Sequence, residues 1–142
     1  MTVAAVIKQD DRYLLVEERS GGKLVYNQPA GHLEDKETLL QAVVRETLEE
    51  TAWHFEPEHV VGIYRWRHPV KHETFMRVAF CGQAVQHDPD QSLDTDIERT
   101  LWLAVDDIRN QQDKLRSPMV LRCIDDYLAG TRYPLSLLVD IK

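Results

Sequence analysis

Residues 36–52 carry the pattern that most restricts the fold of this 142-residue chain. They predict a helix that runs from Lys36 to Ala52, with Asp35 placed to cap its start. Glu46, Glu49 and Glu50 stand at i, i+3 and i+4, which brings three carboxylates together on this helix. The apolar stripe beside them consists of Leu40, Val43, Val44, Thr47 and Leu48. The chain must therefore bury one side of this helix and hold three acids next to the buried side.

The three clustered glutamates need a nearby cation, because like charges at this spacing repel each other. Mg²⁺ and other hard divalent ions prefer carboxylate and carbonyl oxygens as ligands. We therefore interpret Glu46, Glu49 and Glu50 as metal ligands. The alternative is that the three acids only decorate a solvated helix face.

Six residues around the predicted helix follow the spacing G-x5-E-x7-R-E-x-x-E-E, namely Gly31, Glu37, Arg45, Glu46, Glu49 and Glu50. This spacing resembles the Nudix box, the motif of hydrolases that act on a nucleoside diphosphate linked to a further group. Thr47, Ala52 and Trp53 depart from the usual motif, which has an aliphatic residue, a glycine and an aliphatic residue there. The resemblance implies a Nudix fold, an α/β/α sandwich with a central mixed β-sheet flanked by helices.

The resemblance also implies roles for the motif residues. The backbone carbonyl of Gly31 would join the glutamates as a ligand of Mg²⁺, for which Mn²⁺ could substitute. A salt bridge between Glu37 and Arg45 is expected, although helix capping alone would also explain Glu37. Arg45 suits the orientation of a carboxylate through a bidentate contact. Either Glu46 or Glu49 could accept the proton of the attacking water.

A later acid is another candidate for the general base. Some family members use a carboxylate on a later loop, followed by an aliphatic residue and, five positions further, by a tryptophan. Asp96 and Ile97 fit this pattern together with Trp102, so we predict Asp96 as a catalytic residue and keep Glu98 as the alternative. Both acids would equally suit an exposed loop without a role in the site.

Aromatic and basic side chains outside the helix are the candidates for binding substrate. A nucleobase or a thiazole-type ring favours an aromatic platform, and basic groups favour phosphate. Trp66 has basic neighbours, but Arg65 and Arg67 point to the opposite face of a strand from Trp66. Tyr64 is a further aromatic candidate. The predicted substrate-binding set is Arg19, Lys23, Tyr26, Trp66, Arg67 and Lys71.

Apolar runs separated by turn residues predict the strands around this helix. They cover Val3–Ile7, Tyr13–Val16, Leu24–Tyr26, Val60–Trp66, Phe75–Val85 and Thr100–Leu103. A short helical stretch opens at Asp106. Ser117 and Pro118 predict the N-cap and first turn of a last helix, which Gly130 closes. No linker or repeat divides the chain, so we expect one Nudix domain over residues 1–142.

Composition restricts the partners. A formal net charge of −7 argues against stable nucleic-acid binding, which requires a basic surface. Met1–Ile7 lacks a basic leader, so neither a signal peptide nor a membrane span is expected. Cys81 and Cys123 have no metal-ligand spacing and indicate reduced core thiols in a cytoplasmic protein. A monomer and a homodimer both remain open.

Four further segments resemble a branch of bacterial phosphatases within the Nudix family, namely residues 27–34, 66–80, 115–118 and 132–135. This resemblance implies Mg²⁺-dependent release of phosphate from nucleoside tri- and diphosphates, thiamine diphosphate or its hydroxymethylpyrimidine diphosphate precursor. The first alternative is a pyrophosphatase of ADP-ribose or another nucleoside-diphosphate sugar, because Pro69 lies close to a position that proline often occupies there. The second is a non-catalytic, nucleotide-sensing module, but such modules usually lack the glutamates of the box.

Overall fold

The computed structural model describes all 142 residues and contains eight strands and three helices. Strands β1 to β8 cover Thr2–Gln9, Arg12–Ser20, Lys23–Asn27, Ala30–His32, Trp53–Arg67, Thr74–His87, Ile97–Ala104 and Tyr133–Pro134. Helices α1 to α3 cover Leu39–Thr51, Val105–Arg109 and Met119–Leu128. Single 3-10 turns lie at Gln112–Lys114 and Leu135–Leu137.

A mixed sheet forms the centre of the molecule. Its main path runs β3-β2-β1-β6-β5-β8, and β4 and β7 add to β1 and β2. Strand β1 is parallel to β6 and antiparallel to β2 and β4. Its start pairs with β4 at Thr2–Ala4, whereas its end pairs with β2 at Lys8 and Gln9. The sheet therefore divides along β1, and a cleft opens beside β4.

Helices cover both faces of this sheet, each over its own apolar core. The core under α1 includes Val3, Ile7, Ala42, Val43, Phe55, Val78 and Phe80. The core under α2 and α3 includes Val6, Tyr13, Leu15, Ala79, Ile108, Cys123 and Ile124. This arrangement confirms the predicted α/β/α sandwich with a central mixed sheet.

Helix α1 begins later than the sequence pattern predicts. Thr38, not Asp35, is the N-cap: its hydroxyl accepts a hydrogen bond from the Gln41 backbone N–H at 3.1 Å. The Gln41 side chain in turn accepts from the Thr38 backbone N–H at 2.9 Å, which completes a capping box. Lys36 has a φ of 64°, so the chain turns there instead of continuing a helix. The capping box satisfies two N–H groups that Asp35 alone could not reach together.

The other end of α1 closes on Ala52, which adopts the left-handed conformation with a φ of 64°. Glycine is favoured in this conformation because it has no β-carbon, and this is the position where the Nudix box usually has glycine. The turn lets β5 begin at once with Trp53, seven residues before the predicted start at Val60. Thr47, a member of the predicted apolar stripe, is fully buried, and its hydroxyl donates to the Val43 carbonyl at 2.7 Å.

Two smaller predictions concern the second half of the chain. Helix α3 starts at Met119, so its N-cap is Pro118 and not Ser117 as predicted; the Ser117 hydroxyl accepts from the Met119 backbone N–H at 3.2 Å. Cys81 and Cys123 are free and buried, as predicted. None of the helices has the length and apolar character that crossing a membrane requires.

Candidate active site

Three carboxylates meet where α1 approaches the loop before β7. Glu46 and Glu49 come from α1 and Asp94 from the loop, and their ligand atoms lie within 4.8 Å of one another. The loop is fixed to the helix because the Asp94 backbone N–H donates to the Glu49 carbonyl at 3.0 Å. A second such bond runs from the Asp88 backbone N–H to the Ala52 carbonyl at 2.7 Å. The acidic cluster therefore combines residues from two distant parts of the chain in one fixed unit.

Arg45 lies between the acids of the box. Its guanidinium donates to both oxygens of Glu37, at 2.7 and 2.9 Å, so the expected Glu37–Arg45 salt bridge is present. It also donates to Glu46 at 2.8 Å and to Glu49 at 3.3 Å. The hydrogen bonds from Arg45 lower the pKa of Glu37 below its ordinary value. Glu37 therefore stays charged and holds Arg45 against the carboxylates of α1.

Gly31 provides the space in which Glu46 lies. A β-carbon at Gly31 would overlap the carboxylate of Glu46, whose side chain is only 12% exposed. Burial raises the pKa of Glu46 above its ordinary value. Only a residue without a side chain lets the box helix and β4 approach this closely.

Glu50 is the most deeply buried acid of the box, with 7% of its surface exposed. One carboxylate oxygen accepts a hydrogen bond from the Ala30 backbone N–H at 2.9 Å. Burial raises its pKa from 4.5 to about 9, and the nearby charges of Glu18 and Glu46 act in the same direction. Without a cation, this carboxyl group is protonated at neutral pH.

The donor set fits a hard divalent cation. Glu46, Glu49 and Asp94 offer carboxylate oxygens only, which is the chemistry that Mg²⁺ and Mn²⁺ prefer. The last turn of α1 contains no basic residue, although the negative end of a helix dipole favours cations there. Arg45 is the single guanidinium among the box acids, so the cluster keeps an excess of negative charge.

A cleft of about 410 Å³ begins at Glu46 and Glu50 and follows the face of the sheet that α3 covers. Its lining includes Gly31, Glu46, Glu50, Trp66, Lys71 and Phe75. Trp66 stacks on Phe75 with ring centroids 5.9 Å apart and an angle of 25° between the rings. The structure thus brings two predicted substrate residues, Trp66 and Lys71, into one cavity with the box acids.

Four other predicted substrate residues lie outside this cleft. Arg19 forms an ion pair with Glu98. Tyr26 is buried in the core under α3, with Lys114 lying 4.6 Å from its ring centroid. Lys23 and Arg67 are exposed and absent from the cleft lining. Arg67 points away from the cleft because neighbouring strand residues face opposite sides of the sheet and Trp66 faces the cleft.

Asp94, and not Asp96, is the acid that the loop before β7 adds to the cluster. Asp96 is exposed, and its backbone carbonyl accepts from the Arg19 N–H at 2.9 Å. The alternative acid, Glu98, is occupied by Arg19. The spacing to Trp102 selects Asp96, whereas the fold brings Asp94 of the same loop to the cluster.

The cleft also contains polar residues that the sequence reasoning missed. Glu18, Asn27, Arg77 and Arg116 line it, and the first three are buried. The sequence pointed to one of them, because Arg77 interrupts the apolar run Met76–Phe80 and charged residues are rarely buried unless they bind a partner.

Known proteins match the chain along most or all of its length. A model of the NUDIX domain matches residues 1–123. Phosphatase NudJ of Escherichia coli K12 is 41% identical over 142 residues, covering 100% of this chain and 92% of that protein. A NUDIX hydrolase from Nitrosomonas europaea has a TM-score of 0.96 at 52% identity, covering 99% of this chain and 95% of that one.

The NUDIX domain of Shewanella oneidensis NrtR, solved in complex with ADP ribose, has a TM-score of 0.72 at 18% identity and covers 91% of this chain. The match covers 86% of that chain and is a likeness of fold alone. The domain model and the full-length similarity to NudJ point to the same family as the box, whose clustered glutamates lie on α1. The chain therefore belongs to the Nudix family of hydrolases, which act on phosphorus-containing acid anhydrides.

Proposed function

We propose that this protein is a Mg²⁺-dependent Nudix phosphatase that releases phosphate from nucleoside di- and triphosphates and from thiamine-type diphosphates. The observation that carries this proposal is the convergence of the ligand atoms of Glu46, Glu49 and Asp94 within 4.8 Å, in a cluster whose member Glu46 also lines the cleft. Similarity to phosphatase NudJ supports the release of phosphate. The thiamine-type substrates rest on the resemblance of the flanking segments to the same branch.

Glu46, Glu49 and Asp94 would hold the metal ion, with Glu50 and the carbonyl of Gly31 as further donors. Mg²⁺, or Mn²⁺ in its place, supplies Lewis-acid polarisation of the phosphate oxygens when bound. The residues themselves position the reactants. We assign either Glu46 or Glu49 to orient the attacking water and to take up its proton.

Arg45 and Glu37 act on the site through contacts rather than by touching substrate. The bidentate pair fixes the plane of the Arg45 guanidinium. Arg45 then holds Glu46 and Glu49 in place through its remaining nitrogen. Small displacements of reacting groups reduce rates strongly, so we assign both residues a positioning role.

The other end of the cleft would receive the organic part of the substrate. The stacked rings of Trp66 and Phe75 offer an apolar surface against which a base or a thiamine-type ring can pack. Lys71 lines the same cavity and favours an anionic ligand. This distribution supports a ring joined to a diphosphate as the substrate class.

We further propose one Nudix domain over residues 1–142, a small-molecule substrate rather than nucleic acid, and a cytoplasmic location. The two free, buried cysteines agree with a reducing compartment. The net charge of −7 disfavours a polyanionic partner.

Product analysis with and without Mg²⁺ tests this function. The panel contains nucleoside di- and triphosphates, thiamine diphosphate and ADP-ribose. We expect orthophosphate from the diphosphates and triphosphates in the presence of Mg²⁺ only. Formation of AMP from ADP-ribose instead would identify a pyrophosphatase, and no turnover of any compound would identify a non-catalytic module.

Glu49→Gln tests the site within the same assay. The variant should lose several orders of magnitude in kcat while its unfolding curve stays close to that of the wild type. Glu56→Gln is the matched control, because Glu56 is an exposed glutamate on β5 outside the cleft. Activity of Glu49→Gln near that of the control would refute the metal-site assignment.

A further inference from the structure

Arg77 is a buried cation on the floor of the cleft. It lies in β6 and is only 4% exposed. Thr2 on β1 is in register with Arg77, and His32 on β4 is in register with Thr2. All three line the cleft. Arg77 therefore faces the same cavity as Glu46 and Glu50 of α1.

The hydrogen-bond partners of Arg77 are neutral. One terminal nitrogen donates to the Gln28 side-chain oxygen at 2.8 Å, and the other donates to the Asn27 side-chain oxygen at 2.9 Å. The Nε atom is buried and has no hydrogen-bond partner. Arg77 takes part in none of the salt bridges of the chain. Its positive charge therefore has no direct ion-pair partner in the protein.

The ionisable groups around Arg77 do not supply that partner. Burial raises the pKa of the Cys123 thiol, which therefore stays neutral beside the guanidinium. Glu18 is engaged elsewhere, since it accepts from Arg116 at 2.6 Å and from the Asn27 amide at 3.2 Å. An isolated buried charge is strongly unfavourable, so a partner from the cleft would relieve a real energetic cost.

We propose that Arg77 binds the phosphate group of the substrate that is not attacked, opposite the metal-binding acids. This inference rests on the proposed function, because it assigns one group of the same diphosphate substrate. A neutral acceptor atom on a ring would accept hydrogen bonds from the remaining N–H groups of Arg77 but would leave its positive charge uncompensated. A phosphate would accept these hydrogen bonds and also compensate the charge, and its oxygens match the planar fork of a guanidinium.

Binding of inorganic pyrophosphate to the metal-free protein tests the proposal without requiring turnover. Isothermal titration in EDTA compares the wild type, Arg77→Gln and Arg77→Lys. Arg77→Gln should weaken binding roughly 30-fold or more, the range for losing one partner of a buried charged pair. Arg77→Lys retains the charge and should recover part of the affinity. Arg65→Gln is the matched control, because Arg65 is exposed on β5 and outside the cleft.

A purely structural role for Arg77, bracing Asn27 and Gln28, predicts a different result. Both Arg77 variants would then have lower unfolding temperatures but bind pyrophosphate with the wild-type Kd, and that outcome would overturn the proposal. Should Arg77→Gln fail to fold, the Nε–H resonance of Arg77 in the wild type provides a second measurement. It should shift on addition of pyrophosphate, and a resonance that stays in place at saturation would equally overturn the proposal.

The proposal and the proposed function can fail separately. Pyrophosphate binding that depends on Arg77, in a protein that hydrolyses none of the panel, would refute the function and retain the anion site. Hydrolysis of diphosphates with an unchanged KM in Arg77→Gln, together with unchanged pyrophosphate binding, would retain the function and refute the anion site. If both hold, Arg77→Gln should raise KM more than it lowers kcat, because a non-reacting group is bound similarly before and during the reaction.

Discussion

Replacing Glu50 with glutamine removes the most deeply buried carboxyl group of the box, which is the hardest one to ionise in the metal-free fold. Burial raises its pKa from 4.5 to about 9. At neutral pH the folded metal-free chain therefore keeps a proton on Glu50 that the unfolded chain has released. A group with a raised pKa stabilises the fold most below its unfolded pKa, near 4.5, and this contribution is lost as the pH rises through about 9.

The size of the effect follows from proton linkage. Uptake of one proton on folding lowers the free energy of unfolding by about 1.4 kcal/mol per pH unit, or about 3 kcal/mol between about pH 6 and about pH 8. Glu50→Gln keeps an oxygen for the Ala30 N–H and has no proton to release. Over the same pH range the free energy of unfolding of this variant should therefore fall by about 3 kcal/mol less than that of the wild type. Glu46, whose pKa is also raised by burial, contributes a slope of the same sign in both proteins.

Urea unfolding at a series of pH values, in EDTA, measures this difference. The exposed Glu56 provides the control: Glu56→Gln should have the pH dependence of the wild type. Saturating Mg²⁺ should flatten the wild-type curve as well, because a bound cation favours the ionised carboxylate. Parallel curves for the wild type and Glu50→Gln in EDTA would show that burial does not hold a proton on this residue.

Three further substitutions test the site. Gly31→Ala should lower kcat at least about 100-fold with little change in Tm, because the added β-carbon overlaps the Glu46 carboxylate, the movable end of a flexible side chain; kcat near the wild-type value would show that Glu46 need not lie there. Asp94→Asn should weaken Mg²⁺ binding and lower kcat more than Asp96→Asn does, and the reverse order in calorimetry and kinetics would restore the assignment made from sequence spacing. Trp66→Ala should raise KM for ring-bearing substrates roughly 10-fold, given the typical value of a stacked ring, while pyrophosphate affinity stays unchanged; equal losses for both ligands would indicate a general collapse of the cleft.

The box itself was predictable because its geometry is local. Glu46, Glu49 and Glu50 are placed by the repeat of one helix, and the Glu37–Arg45 pair joins residues eight positions apart. The start of α1 was less predictable, because two possible caps, Asp35 and Thr38, lie within one turn of each other. The reciprocal bonds with Gln41 decide in favour of Thr38, and a single-residue preference does not reveal such a pair.

The remaining parts of the site depend on tertiary structure. Asp94 reaches the cluster only because its loop bonds to the end of α1, a contact across more than forty residues of sequence. Arg19 was a candidate for binding phosphate, but in the fold it forms an ion pair with Glu98, which the sequence does not reveal. The role of Arg77 depends on which charges lie near it, and the order of residues along β6 does not determine this.

The bonds from the Asp88 and Asp94 backbones to α1 also limit how the enzyme can move. They tie the loop before β7 to the C-terminal end of α1, so we expect helix and loop to shift together. We therefore expect any widening of the cleft on the opposite side, where the β5–β6 hairpin carries the half-buried Trp66 near its tip and the exposed Lys71 in its loop. The acidic side of the cleft would then stay in place while the β5–β6 hairpin moves. Product release should therefore respond to substitutions in the hairpin tip and not to those in the loop before β7.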